Sequence, residues 1–179
     1  LVRKNGAVYI LSNNHVLANV NSAEIGDPIL QSGPADGGRY PDDIIAHLSE
    51  YVPIRFESEG STCSIGRAAA AVLNLIARLA GSHTRLVPLR REAVENLVDC
   101  AIAEPTGAEL VENSILGLGA ISGTGEGTLG MAVAKSGRTT GVTYGTITQI
   151  DVTVRVSMGP DRVALFTDLA PRTRRRLAR

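Results

Sequence analysis

His15 and Asp99 are the two residues of this chain whose type and setting fit acid–base chemistry. His15 closes the stretch Ile10-Leu11-Ser12-Asn13-Asn14-His15, where an apolar strand-like run gives way to a short helical turn. An imidazole there can take a proton from a nucleophile near neutral pH, and it does so best when a carboxylate holds its far nitrogen. Asp99 lies inside Val98-Asp99-Cys100-Ala101-Ile102-Ala103, an apolar run in which a carboxylate needs a charged or hydrogen-bonded partner. His15 is the natural one. His47 and His83 have no such surroundings and read as ordinary surface or core histidines. The third member of such a relay would be a hydroxyl nucleophile, and the candidates are weak. Ser122 stands in a glycine-rich stretch, Ser136 precedes Gly137, and Ser157 ends a strand-like run.

The elements that must position this pair are short strands. Runs rich in β-branched and aliphatic residues occur at 7–12, 28–31, 44–48, 98–103, 115–121, 131–135, 142–149, 152–157 and 162–167. Turn signals such as Gly26-Asp27, Asp36-Gly37-Gly38, Ser136-Gly137 and Met158-Gly159-Pro160 separate them. That spacing favours barrels or a sandwich over a parallel α/β sheet. One segment departs from it: Ser64 to Leu79 carries four consecutive alanines and then Leu73, Leu75, Ile76 and Leu79. It predicts an inserted helix with Ser64 as N-cap, Gly81 just past the C-terminus, and an apolar stripe that serves as a packing face.

Composition bounds the class. The 179 residues are 44% hydrophobic, enough for one or two small globular cores, and 18 basic residues balance 18 acidic ones. Such a balance does not mark a polyanion binder, although five of the last eight residues are arginines. That terminal run reads as a solvated, disordered tail. No apolar run reaches the roughly 18 residues of a membrane span, and no signal peptide is visible. With no tryptophan and 3% aromatic residues, the core must be built from Val, Ile, Leu and Ala, and 19 glycines point to many turns. Cys63 and Cys100 cannot form a zinc site alone and are not spaced as a redox pair, which leaves two separate thiols or a disulfide. Gly123-Thr124-Gly125-Glu126-Gly127 lacks the Gly-Lys-Ser/Thr ending of a phosphate loop and reads as a linker. Asp27, Asp36, Asp42 and Asp43 fit no EF-hand spacing and read as turn residues. No metal or cofactor is expected.

Taken together, several stretches resemble the chymotrypsin-like serine peptidases, in particular their bacterial trypsin-like members. They are Ile10-Leu11-Ser12-Asn13-Asn14-His15-Val16-Leu17, Gly26-Asp27-Pro28-Ile29-Leu30-Gln31-Ser32-Gly33, Asp36-Gly37-Gly38, Val98-Asp99-Cys100-Ala101-Ile102-Ala103, and Lys135-Ser136-Gly137-Arg138-Thr139-Thr140-Gly141-Val142-Thr143-Tyr144-Gly145. Each is weak alone; their joint order is specific, and the likeness covers roughly residues 1 to 168. The resemblance implies a mainly β, chymotrypsin-like double β-barrel with one inserted helix and an incomplete second barrel. Residues 1–114 would form the first barrel, with the helical insertion near 64–80, residues 115–168 a partial second barrel, and 169–179 the basic tail. It also implies His15 as general base and Asp99 as the group that orients its imidazole.

One departure matters. Family members carry a Gly-Asp-Ser-Gly type loop that supplies the nucleophile and the backbone N–H groups of the oxyanion hole, and no such sequence occurs here. The expectation is a homologue of a serine endopeptidase that lacks a recognisable nucleophile, inactive as given, whose partner would be a peptide or protein rather than nucleic acid or a membrane. The passage from Val163-Ala164-Leu165-Phe166-Thr167-Asp168 into an arginine-rich stretch is what a truncated or frame-shifted peptidase chain would show. An unfinished second barrel would leave frayed, association-prone strands. The alternative is a non-catalytic peptide-binding or scaffold domain on the same fold.

Overall fold

Short aliphatic strands broken by glycine and asparagine turns can bury one face only by pairing with distant strands, and this chain does so in two units. A computed structural model describes residues 1–167. The expected basic tail at 169–179 lies outside the described residues. Unit 1 comprises Leu1–Ile54 and Leu97–Val152, and unit 2 comprises Arg55–Asn96 and Thr153–Thr167.

Unit 1 is organised by a five-stranded antiparallel sheet. Its strands are β1 (Val2–Lys4), β2 (Ala7–Ser12), β3 (Pro28–Leu30), β4 (Ile44–Tyr51) and β7 (Ala101–Pro105), in the order β1-β2-β7-β4-β3. The central strands alternate in burial, so that Ala46 and Leu48 of β4 and Ala101 and Ala103 of β7 face one core. Leu17 of the short helix α1 (Asn14–Leu17) and its C-cap Ala18 cap that core, with Ile10, Ile29 and Tyr51 packed around it. The alanines let the layers approach closely, as a chain with few aromatics requires. The unit also holds two separate two-stranded pieces, β8 (Ser114–Ile115) with β9 (Gly119–Ala120), and β10 (Ala132–Gly137) with β11 (Gly141–Thr146).

Unit 2 is a four-stranded sheet with an inserted helix. Strands β5 (Ser58–Gly60), β6 (Leu89–Arg91), β12 (Val154–Ser157) and β13 (Val163–Phe166) lie in the order β12-β13-β5-β6. Ala164 and Phe166 are buried on one face of β13. Asn96 is buried as well, and its amide acts as an extra peptide group. It donates to the carbonyls of Arg55 and Leu165 at 2.8 and 3.0 Å and accepts from the Arg55 N–H at 2.8 Å.

The inserted helix α2 runs from Ser64 to Leu79, the span the sequence predicts. Its ends differ in detail. The N-cap is Cys63, whose sulfur accepts from the Gly66 N–H, rather than Ser64. At the other end Gly81 takes φ +75°, the Gly81 N–H donates to Arg78 O, and the Ser82 N–H donates to Ala77 O. These two bonds are the Schellman pattern, which needs a left-handed residue at the position Gly81 fills. The expected packing stripe is corrected by the structure. The less exposed side of α2 carries Gly66, Ala70, Asn74 and Ala77, while its large aliphatic residues are exposed. Asn74 explains the orientation, because its side chain forms two hydrogen bonds with the main chain of Leu86, at 2.7 and 2.9 Å.

The chain is therefore mainly β and antiparallel, with one long helix, as expected. The sheets are open, and no closed barrel forms among the described residues. Nor does the pairing follow the expected division at residue 114. Strands β12 and β13, read from sequence as part of a second barrel, pair with each other, and β13 pairs with β5 from the segment between His15 and Asp99. The glycine-rich stretch at 123–127 lies within unit 1 and does not join the two units.

Candidate functional site

An antiparallel pairing brings His15 and Asp99 together. In the β2–β7 ladder Ser12 faces Ala101, Leu11 faces Ile102 and Ile10 faces Ala103. Continued past the ends of both strands, the same register sets Asn14 level with Asp99, so the first turn after β2 meets the residues that lead into β7. The two side chains lie 84 positions apart in sequence, and His15 Nδ1 is 2.5 Å from Asp99 Oδ2. The carboxylate also accepts from Asn13 Nδ2 and from the His15 main-chain N–H, each at 3.3 Å. Asp99 thus grips both the ring and the backbone of the residue it orients.

The electrostatics follow from this cradle. The Asp99 side chain is 13% exposed and that of His15 46%. Burial pushes the Asp99 carboxyl up, but the hydrogen bonds from the His15 ring, Asn13 and the His15 N–H together outweigh it. They hold the carboxyl below its usual range. An ionised Asp99 keeps the imidazole proton on Nδ1 and leaves Nε2, the nitrogen away from the carboxylate, as the proton acceptor.

Asn14 sets the position of this turn, and sequence reasoning gave it no role. It is fully buried, donates from Nδ2 to Asn21 Oδ1 at 2.7 Å and to Val52 O at 2.8 Å, and accepts from the Asn21 N–H at 3.1 Å. Asn21 in turn bonds both main-chain groups of Ile54, at 2.7 and 2.9 Å. Between them Asn19, Val20 and Asn21 have φ of +45°, +56° and +66°. A left-handed run that includes a β-branched residue is unfavourable by itself and persists only where neighbours hold it. The signal for this network was the asparagine repetition Asn13-Asn14, Asn19, Asn21, since asparagine tolerates left-handed backbone and mimics a peptide group.

The remaining sequence candidates are not drawn to the pair. Among the described residues no serine is hydrogen-bonded to the His15 ring. Ser136 sits in β10 opposite Val142, Ser122 is exposed, and the Ser157 hydroxyl, in unit 2, donates to Gly159 O at 3.1 Å. His47 and His83 are exposed. Cys63 and Cys100 are separate thiols. Asp27 and Asp43 accept from the main-chain N–H groups of Glu24 and Arg39, as turn residues do, and Asp36 lies 3.4 Å from Arg138. No group of three or more His, Cys, Asp or Glu side chains among the described residues is placed to hold a metal ion. No helix among them is long and apolar enough to cross a membrane. A cleft of about 150 Å³ is lined by Glu50, Tyr51, Val52 and Cys100 to Ile102, beside Asp99 in sequence. A larger one of about 500 Å³ lies in unit 2, between the 59–62 and 158–162 segments. Neither includes His15 or Asp99.

The arrangement can do one thing chemically: hold a half-exposed imidazole in a single tautomer, ready to accept a proton. Comparison with protein-family models, with curated proteins and with solved structures finds no match.

Proposed function

We infer that the chain is a homologue of the chymotrypsin-like serine endopeptidases that keeps the acid–base half of a Ser-His-Asp relay without a recognisable nucleophile. The observation that carries this reading is the three-point grip of Asp99 on His15 and Asn13, in the chain order histidine then aspartate. A histidine held at Nδ1 by an aspartate, on a side chain 46% exposed, has the arrangement that a general base requires. In the full relay His15 would take the proton from an attacking hydroxyl and return it to the leaving amine, and Asp99 would stabilise the intervening imidazolium. Without the hydroxyl and its oxyanion hole no acyl-enzyme forms, so peptide bonds are not cleaved at a useful rate.

The test has two parts. Proton NMR of the purified chain should show a downfield Nδ1–H resonance that Asp99→Asn removes, and labelled casein should remain intact. Absence of that resonance would overturn the site. Casein cleavage abolished by His15→Ala would overturn the claim of inactivity.

A second reading, a non-catalytic peptide-binding domain, is favoured by the β10–β11 hairpin. Among the described residues it has no third strand, and residues 132–135 are exposed. An extended peptide can add to such an edge through its main chain. Reproducible binding of an extended peptide without turnover would support it.

A further inference from the structure

The aliphatic side of α2 leaves six large residues uncovered. Ile65, Val72, Leu73, Leu75, Ile76 and Leu79 each keep between 50% and 80% of their surface exposed. At 100° per residue they form one continuous stripe over the 16 residues, about 24 Å in length. Together they present on the order of 600 Å² of largely apolar surface, at the upper end of what a monomer exposes in one patch and the lower end of what a specific interface buries per partner.

The order of residues within the stripe identifies the partner. Ile65, Val72 and Leu79 recur every seven residues along its centre, with Val72 midway between the other two. Ala68 and Leu75 flank that line on one side, Ala69 and Ile76 on the other. A second helix laid antiparallel across a two-fold axis at Val72 keeps each flank on its own side and reverses it end to end. Leu75 of one copy then faces Ala68 of the other, Ile76 faces Ala69, Ile65 faces Leu79, and Val72 meets its own counterpart. Bulky residues fall opposite small ones at both flanks, as close packing requires. A parallel pair exchanges the flanks and would set Leu75 against Ile76 and Ala68 against Ala69, leaving alternate crowding and voids.

Charge agrees with this arrangement. The helix contains no acidic residue, and its two arginines, Arg67 and Arg78, lie on the side away from the stripe. They neither repel across the seam nor flank the apolar face where lipid headgroups would meet them. We propose that the exposed face of α2 is a self-complementary dimerisation surface on which two copies of this chain pair their helices antiparallel about Val72.

The full chain with Cys63→Ser, which keeps an N-capping side chain, serves as parent. Sedimentation over 1 to 100 µM should show a dimer, and Val72→Glu should weaken association at least 100-fold with unchanged far-UV circular dichroism. Arg67→Glu, on the opposite face, should leave association unchanged. Under mild oxidation Val72→Cys should form an intermolecular disulfide, whereas Ile65→Cys should not pair with itself. A monomer throughout the concentration range, association that survives Val72→Glu, or self-crosslinking through Ile65→Cys would each overturn the proposal. So would a parent chain that stays monomeric in buffer and binds anionic phosphatidylserine vesicles instead.

Discussion

Replacing Asn14 by alanine removes the clamp beneath the histidine turn, and its cost can be worked from the contacts. Three hydrogen bonds disappear: those to Asn21 Oδ1 and Val52 O, and the one received from the Asn21 N–H. At about 1 kcal/mol net per bond the loss is about 3 kcal/mol, and it rises if the Val52 carbonyl and the Asn21 N–H stay dry and unpaired. Water entering the vacated space would reduce it, so the expected range is about 2–4 kcal/mol. The left-handed run at Asn19, Val20 and Asn21 then loses its main restraint, and residues 13–21 should open more readily. Amide hydrogen exchange should show protection in β2 and α1 falling about 100-fold, with urea denaturation reporting the loss of stability. Because Asn14 and Asn21 share bonds, the double variant with Asn21→Ala should cost about 1 kcal/mol or more less than the sum of the single ones. A loss below about 0.5 kcal/mol, a value typical of surface substitutions, would refute the idea that this buried amide sets the turn.

Three further outcomes follow from other contacts. Asp99, its carboxyl held low by the hydrogen bonds that outweigh its burial, contributes stability that is fully present above the ordinary carboxylate value near pH ~4 and lost as pH falls through the lowered one. Asp99→Asn should therefore flatten the acid limb of an unfolding profile below about pH 4 while leaving its shape above pH 5 unchanged. Gly81→Ala forces a side chain into φ +75° with no steric neighbour within 4 Å, so it should cost only the backbone term of about 1 kcal/mol, seen as lower exchange protection in the last turn of α2. Leu48→Ala, at a side chain 1% exposed on β4 in the core of unit 1, should destabilise by about 2–5 kcal/mol in urea titrations.

The linear sequence by itself determined most of the local elements. The aliphatic run 7–12 is β2, the alanine-rich segment is α2 between its predicted ends, and the runs around 132–135, 142–146, 154–157 and 163–166 are strands. These are legible because a period of two or 3.6 in apolar residues, closed by glycine or a capping group, constrains the backbone without reference to anything distant. The pairing of His15 with Asp99 was legible as well, from an aspartate in an apolar run that required a partner.

Other features were decided only by tertiary structure. Strands β5 (Ser-Glu-Gly) and β6 (Leu-Arg-Arg) carry no apolar alternation and exist because β13 offers β5 an edge and β5 offers one to β6. The face that α2 covers was misread, since the sequence shows where an apolar stripe lies but not whether neighbouring chain reaches it. Two hydrogen bonds between the Asn74 side chain and the Leu86 main chain, one donated and one accepted by the amide, hold the small-residue side against that segment instead. Asn14 and Asn96 became buried cross-links because each finds main-chain partners far away in sequence, Val52 for one and Leu165 for the other. A side chain's periodicity is local information, whereas the satisfaction of a buried polar group depends on which distant carbonyls and N–H groups the folded chain brings within about 3 Å.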